Sequence, residues 1–234
     1  MRRSADAVAP PIVKPRGEGK FPAMTKWLAC LLLLLPAIPA RAHPHVFVDT
    51  TLRLSLDSER QLTGIEVTWA YDALFSLLIL EDMGLDADGD GVLAPDELEQ
   101  VQRFDLDNWP EDFEGDLYLR DAEGRSLALG APEGRGVQLI DGQLVSVHYR
   151  DVAPTPAEGV EIRQFDPTYY VAYEVSGGVA LPEPCRAEVE APDTEAAERA
   201  VDEELAQVPE DQFELLEVGK YYAERITLTC APSS

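Results

Sequence analysis

An acidic segment, residues 86–97, has the residue types and the spacing of a twelve-residue calcium-binding loop of the EF-hand type. Carboxylates stand at loop positions one, three, five and twelve, and a backbone carbonyl stands at position seven: Asp86, Asp88, Asp90, Glu97 and Val92. Calcium takes six to eight oxygen ligands at flexible distances, and such a loop supplies them. We therefore predict a Ca²⁺ site in this segment, which is called the acidic loop below.

Three further residues of the acidic loop agree with this prediction. Gly91 at position six permits the sharp turn, and Leu93 at position eight provides an apolar anchor. Ala94 at position nine has no ligand atom in its side chain, so we expect a water molecule to fill that position. The competing interpretation is a solvated acidic turn. EF-hands that sense calcium generally occur in pairs, so a single loop favours a structural ion over a switch.

The sequence contains three histidines, and they form a second candidate site. His43 and His45 are two residues apart and face the same way on an extended chain. His148 shares the parity of Ser146 and Arg150, so we expect it to face away from the core. Together these imidazoles would suit Zn²⁺, Ni²⁺, Co²⁺ or Cu²⁺, with Asp49 as a further ligand. The alternative is an ordinary solvated terminus and a surface histidine, in which case the protein would be a calcium-stabilised interaction module without a transition metal.

The chain begins with features of a secretory signal. From Met24 a positive charge, an apolar run and a small-residue cleavage site follow one another up to Ala42. We expect residues 1–42 to be removed and residues 43–234 to form one exported domain in the periplasm. Cleavage there would make His43 the first residue, and its amino group and ring nitrogen would then suit a copper-binding histidine brace, an oxidative alternative.

The charge balance excludes two classes of partner. The chain carries 44 acidic and 19 basic side chains, for a net charge of −25. A surface of this sign repels nucleic acid and anionic lipid and attracts cations. No later segment is apolar over the roughly 20 residues that span a bilayer, so we expect the exported product not to be embedded in a membrane.

Two cysteines remain after the predicted cleavage. Cys185 and Cys230 would lie in an oxidising compartment, where such residues usually form a disulfide. Two separate buried thiols are the alternative. A thiolate metal site is disfavoured because no CxxC spacing occurs.

The hydrophobic periodicity predicts a mainly β (α+β) domain: an antiparallel sandwich or barrel. Period-two alternation marks strands at residues 45–57 and 65–71, and helical spacing then runs from Asp72 to Gly84. A second helix at residues 96–103 completes a helix–loop–helix inserted at about 72–108. The remaining predicted elements are strands near 117–119, 127–129, 137–139, 144–150, 160–165, 169–175 and 225–230, and a helix at 192–208.

Four blocks of the sequence occur in a characteristic order: residues 42–49, residues 62–65 with Trp69, the acidic loop, and residues 166–170. Together they resemble the DUF1007 family of periplasmic proteins. The resemblance implies the periplasmic component of a transport system, whose partner would be an inner-membrane permease of the nickel/cobalt type, and a transition-metal cargo (Zn, Ni or Co). His43 and His45 match the opening motif of the family. No catalytic nucleophile with a neighbouring base is apparent, so we do not expect an enzyme.

Overall fold

The computed structural model describes residues 44–107, 109–110, 113–209, 212–213 and 216–231. The predicted signal segment and His43 lie outside these residues. In chain order the elements are β1 (Val46–Leu56), β2 (Gln61–Tyr71), α1 (Ala73–Met83), α2 (Pro95–Val101), β3 (Leu117–Arg120), β4 (Ser126–Leu127), β5 (Glu133–Ile140), β6 (Gln143–Pro156), β7 (Glu161–Gln164), β8 (Val171–Glu174), β9 (Val179–Ala180), β10 (Cys185–Glu190), α3 (Thr194–Leu205), a 3₁₀ turn (Gly219–Tyr221) and β11 (Arg225–Cys230).

The strands form two sheets. The first has the order β5-β6-β2-β1-β8, with β9 also pairing with β1, and the second has the order β10-β11-β7-β3-β4. Most neighbours are antiparallel, as expected, but β8 and β9 both run parallel to β1. The first sheet is therefore mixed, because the chain returns to β1 through a long connection rather than a hairpin.

The alternation predicted for β1 is confirmed. Its inward side chains are almost fully buried: Val46, Val48, Thr50, Leu52 and Leu54. The alternate residues Phe47 and Asp49 are exposed. Since successive side chains of a strand point to opposite faces, β1 has one face on the core and one face in water.

The parity predicted for β6 is wrong. Ser146, His148 and Arg150 lie on its buried face, with exposed fractions of 2%, 1% and 5%. The intervening Val145 and Val147 are half-buried and line a groove next to α2. Ser146 and Arg150 are hydrogen-bonded to other segments, and His148 packs against the rings of Trp69 and Trp109. Alternation along a single strand does not reveal such neighbours.

Both sheets contribute to one hydrophobic core. Inward side chains of the first sheet, such as Leu52 and Val67, belong to the same cluster as Leu117, Ile162 and Ile226 of the second. The architecture is therefore mainly β and sandwich-like, with residues of the two sheets packing on each other.

The inserted helices follow local signals in the sequence. The side chain of Asp72 accepts hydrogen bonds from the backbone N–H groups of Leu74 and Phe75, each at 2.9 Å, and so caps α1. Gly84 ends α1 in a left-handed conformation at φ 67°. Both α1 and α2 lie between β2 and β3, where the helix–loop–helix was expected.

A disulfide joins the last two strands of the second sheet. Cys185 and Cys230 are directly opposite each other on β10 and β11, and their sulfurs are bonded at 2.00 Å. The predicted pairing is confirmed, although β10 itself was not predicted. Within the described part of the chain, no helix has the length and apolarity needed to cross a membrane.

Candidate metal centre

The acidic loop brings three carboxylates together. Oxygens of Asp86, Asp88 and Asp90 all lie within 4.8 Å of one another. Negative charges at this separation repel, and a divalent cation between them would remove the repulsion. Among the described residues, this is the one group of three or more His, Cys, Asp or Glu side chains spaced to hold a metal ion.

The backbone of the acidic loop holds this cluster. Gly91 adopts φ 75°, and Asp86 adopts φ 51°. The N–H of Gly91 donates to the carboxylate of Asp86 at 3.2 Å, and the N–H of Val92 donates to Oδ1 of Asp90 at 2.8 Å. Glycine at position six tolerates the left-handed turn that directs these donors toward the carboxylates.

Glu97 connects the two ends of the acidic loop. Its Oε1 accepts a hydrogen bond from the N–H of Asp86 at 2.9 Å, and its Oε2 accepts one from the N–H of Ala94 at 2.8 Å. Each carboxylate oxygen has a second lone pair that remains able to contact a cation. Glu97 therefore caps α2 and lies next to Asp86, the first residue of the cluster. It is not itself one of the three carboxylates within 4.8 Å of one another.

The donor set fits a hard cation. Asp86, Asp88, Asp90 and Glu97 offer only oxygen atoms, which suit Ca²⁺ rather than an ion that prefers thiolate or imidazole ligands. Leu93 is half-buried and packs against the hydrophobic core, so the anchor expected at position eight is present. The residues of the acidic loop are thus compatible with calcium.

The candidate transition-metal ligands at the start of β1 are held apart. His45 is exposed, and its ring lies 4.8 Å from that of Tyr170. Asp49 is four residues further along, about 13 Å away at the rise of a strand. Its Oδ1 accepts a hydrogen bond from Oγ of Ser176 at 2.7 Å. These contacts orient the two side chains toward different neighbours.

His148 lies far from His45. It pairs with Val67 on β2, which in turn pairs with Leu52 on β1, seven residues beyond His45. At about 3.3 Å per residue, that spacing is more than 20 Å along the strand. Because His148 is also buried, the expectation that it faces away from the core and converges with His45 is wrong.

An acidic cleft surrounds Asp49, and sequence reasoning missed it. A cavity of about 370 Å³ has four carboxylates in its walls: Asp49, Asp72, Glu174 and Glu224. The protein itself uses several of them, since Asp72 accepts from the N–H of Phe47 at 2.9 Å and Glu224 accepts from the N–H of Val175 at 2.6 Å. The cleft adds negative potential near the start of β1.

A buried polar network occupies the interior beside His148. The carboxylate of Asp105 accepts hydrogen bonds from the hydroxyls of Tyr71, at 3.0 Å, and Ser146. Asp116 accepts one from Tyr173 at 2.9 Å, and burial raises the pKa of Asp116 to about 7. The only sequence signal for this network was the row of alternating polar residues on β6.

The comparison with protein families gives a match for this chain. The model of a family described as a protein of unknown function, DUF1007, matches residues 28–230. No curated protein matches the chain. The matched region includes every element from β1 to β11.

Proposed function

This chain belongs to the DUF1007 family, and we propose that it is a periplasmic accessory protein of a transition-metal transport system that binds calcium in its acidic loop. The calcium ion is structural: it links the end of α1 to the start of α2. Zn²⁺, Ni²⁺ or Co²⁺ is the cargo, and an inner-membrane permease is the partner. The family resemblance and the net charge of −25 support this reading.

The observation that carries the calcium proposal is the cluster of Asp86, Asp88 and Asp90. Three carboxylates within 4.8 Å of one another are costly without a cation. The positive φ of Gly91 and the hydrogen bonds from the loop N–H groups direct these carboxylates toward a common point. An ordinary solvated turn does not require this combination.

A calcium titration tests the acidic loop. We expect isothermal titration calorimetry of the purified protein to show one Ca²⁺ per chain, and Glu97→Gln to weaken that binding by at least tenfold. Glu99 is exposed on the same helix, α2, and Glu99→Gln serves as the matched control with unchanged affinity. Equal Ca²⁺ affinity in the wild type and in Glu97→Gln would contradict the assignment.

The transition-metal proposal rests on the start of the exported chain. His45 is exposed and directly precedes β1, two residues before Phe47, which lines the acidic cleft. We propose that His43 and His45 capture the ion and that the cleft raises the local cation concentration. His148 is left out of this site because the fold places it in the interior.

Metal titration of the processed protein tests this second site. Intact mass first establishes the N-terminal residue, and Zn²⁺, Ni²⁺, Co²⁺ and Cu²⁺ are then titrated into the wild type and His45→Ala. We expect His45→Ala to lose transition-metal binding and to keep calcium binding. Unchanged transition-metal affinity in His45→Ala would refute the site. Tight Cu²⁺ binding that disappears when one residue precedes His43 would favour the copper brace instead.

A further inference from the structure

Arg150 on β6 is a buried cation held on several sides. It is 5% exposed, its Nε donates to the carbonyl of Gly130, and its Nη1 donates to the carbonyl of Glu114 at 2.9 Å. The guanidinium carbon lies 5.1 Å from the ring centroid of Trp109. The guanidinium group is therefore fixed in one orientation before any ligand arrives.

The close packing around Arg150 depends on a glycine. Gly115 has φ 73°, and a Cβ at this position would lie 2.5 Å from the ring of Trp109 and 2.9 Å from Nη1 of Arg150. No other residue would allow the loop to come so near without displacing both side chains. The Trp109–Arg150–Gly115 contact is thus a specific arrangement.

Arg150 lacks a carboxylate partner within the described residues. No ion pair between described residues includes its guanidinium group. Glu114 attracts the guanidinium, but its side chain is exposed. Burial lowers the pKa of Arg150, yet arginine stays protonated in proteins. Among the described residues the guanidinium thus has hydrogen-bond partners and an aromatic neighbour but no counter-ion, and a bound anion would offset the cost of burying its charge.

An open cavity of about 470 Å³ lies against Arg150. The wall also contains the exposed Glu114, the one carboxylate that the described residues contribute to the lining, and Gly130. The other side chains around it are apolar: Trp109, Pro110, Phe113, Ala128, Leu129, Ala131 and Pro132. Ligand sites commonly combine an apolar lining of this size with one or two fixed polar groups. We define this space as the Arg150 cavity.

We infer that the Arg150 cavity binds a small organic carboxylate with a compact apolar body. The carboxylate would accept a charge-assisted hydrogen bond from Nη2 of Arg150, which makes no hydrogen bond to the described residues. The hydrocarbon part of the ligand would pack against Phe113 and Leu129. This site is independent of the acidic loop and of the proposed metal transport.

The competing interpretation is that Arg150 only connects two loops. Arg163 offers a direct comparison, because its Nη2 also donates to two backbone carbonyls, those of Lys220 and Ala223, and it lies 5.7 Å from the ring centroid of Phe165. Arg163 does not line the Arg150 cavity. A purely structural role predicts that replacing either arginine affects stability alone.

The test uses cyclohexanecarboxylate as the probe and cyclohexylmethanol as its uncharged counterpart. Binding to the purified protein is followed by tryptophan fluorescence, because Trp109 lines the Arg150 cavity, and by calorimetry. We expect saturable binding of the carboxylate that is at least tenfold tighter than that of the alcohol. Arg150→Met should weaken carboxylate binding at least tenfold, whereas Arg163→Met should change it less than twofold.

A second variant covers the case in which Arg150→Met does not fold. Ala128 is exposed at the edge of the Arg150 cavity, so Ala128→Phe fills the space without removing the guanidinium. We expect the affinity of Ala128→Phe for the carboxylate to be at least tenfold lower than that of the wild type. Its thermal unfolding temperature should be unchanged. The inference is overturned by no saturable carboxylate binding to the wild type, by equal binding of the alcohol, or by unchanged carboxylate binding in Ala128→Phe.

Discussion

The imidazole of His148 lies edge-on to the indole of Trp69, with 4.5 Å between the ring centroids and 64° between the planes. Trp109 is a second aromatic neighbour at 5.9 Å. The surrounding groups remove water from the imidazole, and Arg150, two residues along β6, adds electrostatic repulsion. Burial and this repulsion lower the pKa of His148 to about 3, so the ring is a neutral member of the core at neutral pH.

Acid should destabilise the protein through His148. In the unfolded chain the imidazole takes up a proton below pH about 6.5, whereas in the folded protein it does so only near pH 3. The stability that depends on a neutral ring is therefore present above pH 6.5 and is lost as the pH falls toward 3, by about 1.4 kcal/mol per pH unit. Urea unfolding at pH 7 and pH 5 measures how much the free energy of unfolding falls between these two pH values. This fall should be smaller for His148→Gln than for the wild type. His45→Gln, which alters an exposed histidine, should behave as the wild type.

The contribution of Asp116 to stability should depend on pH in the opposite sense to that of His148. Its carboxyl group has a raised pKa of about 7 when folded, mainly because of burial, and a pKa near 4 when unfolded. Its contribution to stability is thus complete below pH 4 and is lost as the pH rises through 7. We expect Asp116→Asn, which keeps an acceptor for the hydroxyl of Tyr173, to be more stable than the wild type at pH 8 by on the order of 4 kcal/mol. At pH 4 the two proteins should differ little in their free energy of unfolding, and a constant difference across this range would contradict the prediction.

The turn at Gly91 should matter more for calcium than for folding. Gly91 and Gly124 both have positive φ, and at each of them an added Cβ would meet no atom within 4 Å. Alanine at either position should cost about 1–2 kcal/mol of stability, because the left-handed conformation is strained for any residue with a Cβ. Only Gly91→Ala should also weaken Ca²⁺ binding in calorimetry. Equal Ca²⁺ affinities for the two variants would contradict the prediction that the turn at Gly91 contributes to calcium binding.

Removal of the disulfide should lower stability without changing the sheet order. Cys185 and Cys230 are separated by 45 residues, and the loop-entropy relation assigns about 4 kcal/mol to closing such a loop. The double variant Cys185→Ser/Cys230→Ser should lose a stability of this size in urea unfolding. Reduction of the wild type should give the same loss, while reduction of the double variant should give none.

Local patterns predicted the elements that depend on neighbours in the sequence. The alternation of β1, the helical spacing that begins at Asp72 and the spacing of the acidic carboxylates each involve only a few consecutive residues, and each agrees with the fold. β10 was missed because three of its six residues are charged and only Val189 is a strong strand former, and it exists as a strand by pairing with β11. Strand formation there depends on a partner some 40 residues away, and the periodicity of a short segment contains no information about such a partner.

The interior of the molecule was harder to predict for the same reason. Ser146 and His148 have the parity of a polar face, and only the carboxylate of Asp105 and the rings of Trp69 and Trp109 make that face an interior one. A polar residue can be buried wherever the fold brings it a partner or an aromatic neighbour. Local patterns therefore predicted the spacing of the carboxylates in the acidic loop. They placed His148 on the wrong face of β6.

The parallel pairing of β1 has a consequence for the order of assembly. β1 begins at Val46, but two of its neighbouring strands, β8 and β9, begin at Val171 and Val179. The first strand of the domain therefore keeps an unpaired edge until more than 120 later residues have been synthesised, and contacts so distant in sequence form slowly. A nascent chain emerging from the ribosome therefore cannot complete its first sheet until β8 and β9 have been synthesised.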